Sequence, residues 1–206
     1  MTETDVCNMA LSHIGEGRIT DINDDNETAR LCRQYYDHSR TLILRQFPWG
    51  FARRIERLAK VDTFTPTGGY EHTYLYPENC LYVYRILDTD YVDNKQRELA
   101  MYNDLYSYDV FNLDNNTKVI STDVPNAYCD YIYNVTDPDL YEPLFMEALT
   151  RKLASDLAMP LVGNPDYYTF QFKIYQSALL EAKNITARER KYEVQPPVGY
   201  VLARRD

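Results

Sequence analysis

The spacing of apolar residues changes twice along the 206-residue chain, and this change limits the folds that the chain can adopt. Between residues 29 and 47 the side chains of one stripe recur in steps of three and four, which predicts a helix with one buried face. Between residues 70 and 135 apolar and polar residues alternate, and many are aromatic or β-branched, as in strands. Helical spacing returns after residue 137. The pattern predicts an α+β fold.

Four helices are predicted, over residues 4–14, 26–47, 137–158 and 165–191. Each begins at a residue whose side chain can accept a hydrogen bond from the first turn, and two of these capping residues precede a proline that suits the first helical position. Glycine or proline is expected to end the first three helices. The predicted caps and breakers are Thr4 and Gly15, Asn26 and Pro48, Asp137–Pro138 and Pro160, and Asn164–Pro165.

Strands are predicted between these helices, which divides the chain into three parts. Alternating segments lie at residues 70–76, 81–87, 117–121 and 127–135, and further alternation occurs over Arg53–Arg57. We therefore expect a helical bundle formed by both chain ends, an inserted small antiparallel β subdomain, and an extended C-terminal arm with a Pro196–Pro197 pair. The expected boundaries are 1–48 plus 137–193 for the helical domain, 49–136 for the β-rich subdomain and 194–206 for the arm.

The charge and aromatic content of the chain bear on its partners. A net charge of −9 and the lack of a long Lys/Arg run argue against sequence-specific DNA binding. Twenty tyrosines against one tryptophan is an unusual ratio. Tyrosine suits subunit interfaces, where one side of the ring is apolar and the hydroxyl is hydrogen-bonded, and it equally suits a tyrosine-rich β-sheet.

The sequence contains no pattern that predicts export, a membrane span or a cofactor. The first residues lack the basic and apolar regions of a signal peptide, and no apolar stretch has the length of a membrane span, so we expect synthesis in the cytoplasm and no membrane partner. The four cysteines are far apart and lack metal-ligand spacing, which favours reduced and mostly buried thiols. No metal or organic cofactor is predicted. The cysteines are Cys7, Cys32, Cys80 and Cys129.

Motifs for common catalytic sites are absent from the sequence. It contains no glycine-rich nucleotide loop, no G-x-S-x-G and no H-E-x-x-H. Its three histidines fall on three different predicted elements, and its acidic pairs are better explained as cap and loop residues than as glycosidase carboxylates. No catalytic residue is predicted. The histidines are His13, His38 and His72, and the pairs are Asp24/Asp25 and Asp137/Asp139.

Two segments are candidates for contact with other subunits. One is Trp49 together with the basic cluster Arg53, Arg54 and Arg57 that follows it, and the cluster is expected to alternate between the faces of a strand. It is explained either as a solvated sheet edge, where arginine discourages edge pairing, or as an interface or channel contact. The other is the arm, which has too little apolar surface to fold alone. The interface candidates in the arm are Val198, Tyr200, Leu202, Arg204 and Arg205.

Several segments, in order, resemble the tail tubular protein A family of tailed bacteriophages. Near the N-terminus these are Leu11-Ser12-His13-Ile14-Gly15, Ala29-Arg30-Leu31-Cys32 and Trp49-Gly50-Phe51-Ala52. Farther along they are Tyr76-Pro77-Glu78-Asn79-Cys80-Leu81, Tyr131-Ile132-Tyr133 and Pro143-Leu144-Phe145-Met146-Glu147-Ala148-Leu149. The segments span most of residues 8–185, and the match departs over the acidic stretch 88–114.

The resemblance implies a structural virion protein of the phage neck and not an enzyme. Members of this family form a dodecameric adaptor ring between the portal protein and the tail nozzle protein, which resembles tail tubular protein B, and DNA passes through the central channel without sequence-specific binding. Two other hypotheses remain open at this point. One is a tail-associated carbohydrate-active hydrolase, and the other is a cytosolic phage adaptor that binds a host protein.

Overall fold

The computed structural model describes residues 1–61, 69–89 and 106–189. Over these residues the fold is mixed α+β, with helices toward both ends of the chain and two three-stranded antiparallel sheets between them, which confirms the predicted fold class. The chain divides into two compact units. Unit 1 contains residues 1–53 and 132–189, and unit 2 contains residues 54–131. The predicted arm, residues 194–206, lies outside the described residues.

Unit 1 is built from helices that pack around one central helix. The helices are α1 Glu3–Ile14, α2 Glu27–Gln46, α3 Pro143–Val162 and α4 Pro165–Glu189. α3 packs against each of the other three. Its predicted stripe of Phe145, Leu149, Leu153 and Leu157 is completely buried, as expected for the helix at the centre of a bundle. The core of unit 1 therefore forms around α3.

The capping residues of α1 and α2 can be compared with the predicted ones. Asn26 caps α2 as predicted, since its side chain accepts from the Ala29 amide. For α1 the prediction of Thr4 is wrong, because Thr2 caps the helix. Asp5 lies at the third helical position after Thr2, so the two residues form a reciprocal capping box. The Thr4 hydroxyl instead accepts from the Ile22 amide at 3.1 Å.

Both predicted ends of α3 are corrected by the structure. Asp137 caps a separate 3₁₀ turn over Pro138–Leu140, and α3 begins only at Pro143. Pro160 lies inside α3 and does not end it. The helix ends at Gly163, which adopts φ 71° and donates its amide to the Ala158 and Met159 carbonyls. Near a helix end the amide that proline lacks is one lost hydrogen bond, and a left-handed glycine is the stronger stop.

Unit 2 contains two sheets, in the orders β1–β6–β3 and β2–β5–β4. β5 pairs antiparallel with both neighbours, and Ile120 lies opposite Tyr74 on β2 and Val110 on β4. β4 falls within residues 88–114, where no strand was predicted. The strands are β1 Arg53–Arg57, β2 His72–Leu75, β3 Cys80–Leu87, β4 Tyr108–Asn112, β5 Lys118–Thr122 and β6 Tyr128–Tyr133.

Two buried polar contacts stabilise the described part of unit 2. Arg85 on β3 donates from Nε to Asp130 on β6 at 2.8 Å, and Asp130 is fully buried. The Tyr74 ring is also buried, and its hydroxyl donates to the Val124 carbonyl at 2.7 Å. Buried polar atoms need such partners because desolvation is otherwise uncompensated. At Tyr74 the tyrosine therefore serves the sheet of its own unit.

Candidate subunit interface

The strand β1 is exposed on both faces and lies at the edge of its sheet. Among the described strands β6 is its neighbour in that sheet, and Arg54 through Arg57 are all exposed, including Ile55 at 47%. Strands usually bury at least one face, so β1 is held mainly by its backbone pairing. Side chains add to this, and one of them is Arg57, which donates to Asn126 Oδ1 at 2.7 Å. β1 is therefore the first candidate for contact with another protein.

The exposed side of β1 is basic. Arg53 is half-buried, and Arg54 and Arg57 are exposed. Lys60, three residues after the strand, is also exposed. Glu56 is the single acid within the strand, and it forms a hydrogen bond with Tyr131. Burial is the larger cause that raises the pKa of the Tyr131 hydroxyl, and the hydrogen bond with Glu56 is the next. That hydroxyl consequently stays protonated and can donate to Glu56. The arrangement agrees with the edge-strand interpretation and leaves the interface interpretation as a prediction.

Trp49 is part of the core of unit 1 and not of an exposed interface. Its side chain is fully buried, and its indole Nε1 donates to the Ile43 carbonyl at 2.9 Å. The ring packs edge-to-face against Phe47 and Phe145, each with a centroid distance of 5.2 Å. A buried indole with its donor satisfied has no surface to offer a partner. Including Trp49 among the interface residues was therefore wrong.

A second sheet edge lies on β4, whose neighbour in its sheet, among the described strands, is β5. Asp109 is exposed there, and its carboxylate accepts from the Val110 amide at 2.8 Å. In the turn after β4, Asp114 accepts from the Asn116 and Thr117 amides, and these hydrogen bonds lower the pKa of its carboxyl. This edge is therefore acidic at neutral pH.

The turn between α3 and α4 carries exposed apolar side chains. The most exposed is Phe170, at 56%, and Tyr168 stacks on Phe172 with a centroid distance of 6.1 Å. Single exposed apolar residues are common on proteins, but several near one turn favour a contact surface. Sequence reasoning placed Tyr168 in the helical stripe and missed the others. The set comprises Met159, Val162, Tyr168 and Phe170.

The carboxylates considered for catalysis have structural partners. Asp137 caps the 3₁₀ turn, and Asp139 binds the N-terminal amine at 2.6 Å. Asp24 accepts from the Thr20 and Asp21 amides at 3.2 and 3.1 Å. These contacts agree with the interpretation of the acidic pairs as loop and cap residues.

The remaining chemical groups are dispersed. The three histidines lie on α1, α2 and β2, and three of the four free cysteines are buried while Cys80 is half-buried. Within residues 1–61, 69–89 and 106–189, no three His, Cys, Asp or Glu side chains come together as a metal site. None of the helices in this part of the chain is both long and apolar enough to cross a membrane.

Comparison with known proteins adds no family assignment. No protein-family model matches the chain, and no curated protein matches it.

Among the predicted interface residues, the structure places Trp49 in the core and Arg53, Arg54 and Arg57 on β1. The candidates of the arm lie outside the described residues, and they are Val198, Tyr200, Leu202, Arg204 and Arg205.

Proposed function

We propose that the chain is a structural virion protein of a tailed bacteriophage that forms an adaptor ring between the portal and the tail nozzle. The observation that carries the proposal is β1, a basic edge strand that is exposed on both faces. A monomeric protein usually protects such an edge, whereas a ring subunit uses exposed surfaces to reach its neighbours. The resemblance to tail tubular protein A supplies the location in the virion.

The distribution of charge supports passage of DNA through a channel. Residues 1–53 with 132–189 contain 16 acidic and 11 basic side chains, and residues 54–131 contain 13 acidic and 7 basic ones. Both units are therefore negative. A negative wall repels phosphate and avoids the contacts that would retard moving DNA.

The arm has the opposite charge balance. Residues 194–206 contain two basic side chains and one acidic side chain, so the arm is opposite in sign to both units. Charge complementarity guides association and favours the correct partner. We infer that Arg204 and Arg205 help the arm to bind an acidic surface of a neighbouring subunit or of the portal.

Electron microscopy of the chain mixed with portal rings tests this function directly. Two-dimensional class averages are expected to show a twelve-fold ring added to one face of the portal, and mass spectrometry is expected to detect the chain in purified virions. A chain that is absent from virions and remains monomeric with portal present would contradict the proposal and favour the cytosolic adaptor. Release of sugars from capsule polysaccharide by the purified chain would favour the hydrolase.

A further inference from the structure

Two buried cysteines of unit 1 face each other where α1 packs against α2. Cys7 lies on α1 and Cys32 on α2, and both side chains are fully buried. Their thiols form a hydrogen bond with each other. One turn away on each helix lies a fully buried alanine, Ala10 on α1 and Ala29 on α2, and small side chains at a contact let two helices approach closely. The fold therefore holds the two sulfurs next to each other, as a disulfide requires.

The hydrogen bond makes the two thiols chemically unequal. The bond with Cys7 lowers the pKa of the Cys32 thiol, and burial opposes this shift. The same bond first, and then burial, raises the pKa of the Cys7 thiol. Because the thiolate is the nucleophile in cysteine chemistry, Cys32 is the sulfur that reacts first with an oxidant. Cys7 keeps its proton and lies beside the reacted sulfur.

We propose that Cys7 and Cys32 form an intramolecular disulfide when the chain meets a peroxide, so that α1 becomes covalently joined to α2. The Cys32 thiolate attacks one peroxide oxygen and the O–O bond breaks, which gives a sulfenic acid and a hydroxide that takes up the proton lost by Cys32. The Cys7 sulfur then attacks the Cys32 sulfur, the S–O bond breaks, and the hydroxyl leaves as water with the Cys7 proton. The two thiols lose two electrons, and one hydrogen peroxide becomes two waters.

The disulfide would form outside a reducing compartment. Thiols stay reduced in the cytoplasm and are oxidised where that protection is absent. The two cysteines are 25 positions apart, so the bond closes a loop that the unfolded chain otherwise keeps open, and this stabilises the folded state. The inference does not depend on the proposed function. A virion protein meets such conditions once the particle has left its host.

Peptide mapping of the full-length chain tests the pairing. Trypsin cleaves after Arg18 and Arg30, which puts Cys7 and Cys32 in separate peptides that only a disulfide can join. After treatment of the reduced, folded chain with hydrogen peroxide, we expect the joined peptides and an intact mass lower by about 2 Da, because two hydrogens are lost. The melting temperature is expected to rise by about 5 to 10 °C, and dithiothreitol is expected to reverse all three changes.

Serine variants assign the roles of the two sulfurs. Cys7→Ser and Cys32→Ser are each expected to abolish the joined peptides and the rise in melting temperature. In Cys7→Ser the sulfenic acid of Cys32 has no second thiol to react with, so dimedone is expected to label Cys32. Cys129→Ser removes an equally buried cysteine from unit 2 and is the matched control, with both readouts expected to stay as in the wild type. Circular dichroism checks that each variant is folded.

The wild-type peptide map decides the question even where a variant fails to fold. A folded chain that keeps both thiols under peroxide concentrations that oxidise the same chain in urea would overturn the proposal. Joined peptides that link Cys7 or Cys32 to another cysteine would also overturn it. The proposed function is tested separately, because presence in virions and addition of a ring to the portal are measured on the reduced chain.

Discussion

Two adjacent leucines on α4 allow packing to be measured at the scale of one residue. Leu179 is 8% exposed, whereas Leu180 is 61% exposed. We expect Leu179→Ala to lower the free energy of unfolding by about 2 to 5 kcal/mol, because it removes buried methyl groups and leaves a cavity. Leu180→Ala is expected to change it by less than about 0.5 kcal/mol. Urea unfolding of both variants measures the difference, and equal midpoints would mean that α4 does not pack as described.

His13 makes the stability of unit 1 depend on pH. Burial first, and then the positive charge of Arg151, lowers the pKa of His13, while Glu147 opposes the shift. Its Nε2 is buried without a hydrogen-bond partner among the described residues. The unfolded chain therefore binds a proton at higher pH than the folded chain does, and acid favours unfolding.

We predict that His13 protonation does not lower the free energy of unfolding above about pH 6.5. Below that pH the free energy of unfolding falls as the pH decreases. His13→Gln is expected to flatten this decrease between about pH 6.5 and 5, a range in which most carboxyls stay ionised. His38→Gln, an exposed change on α2, is the matched control and is expected to keep the wild-type slope. Identical slopes for both variants would contradict the role of His13.

At the scale of an element, Gly163 determines where α3 ends and α4 follows. Its φ of 71° lies in the left-handed region, which a residue with a Cβ adopts only with strain. Gly163→Ala is expected to destabilise the chain by about 1 kcal/mol. Gly17→Ala is the control, since Gly17 has no positive φ and its Cβ would meet open space. Thermal melts compare the two variants, and a Gly17→Ala melt as low as that of Gly163→Ala would refute the explanation.

Long periodic segments were predictable, whereas the ends of elements and the interface were not. α2 followed from its stripe and Asn26, and α4 followed from Asn164 and its stripe, because local spacing and capping act within a few residues. α3 passes Pro160 because its packing outweighs one missing amide. β4 has only five residues, which is too short for a clear period. The residues around Trp49 do not indicate whether its indole faces solvent or the core, where the structure places it.

At the scale of the whole molecule, we expect the arm to contribute to assembly and not to the stability of the subunit. Deletion of residues 194–206 is expected to leave the helical signal and melting temperature of the subunit nearly unchanged, because a proline-containing extended segment adds little to an independent core. The same deletion is expected to impair ring or neck assembly, measured by class averages with portal. Circular dichroism provides the control. A truncated subunit that is unfolded, or one that assembles normally, would show that the arm has another role.

The division of unit 1 between both ends of the chain constrains its folding during synthesis. Bonds such as that from Gln46 Nε2 to the Tyr175 hydroxyl join residues 129 positions apart, so α2 meets its partner only late in translation. At typical ribosome speeds of about 5 to 20 residues per second, translating these 129 positions takes about 6 to 26 s, during which α2 lacks this packing partner. Residues 54–131 are complete earlier, and limited proteolysis of stalled ribosomes should find them protected first. The helices made first are thus among the last to be stabilised.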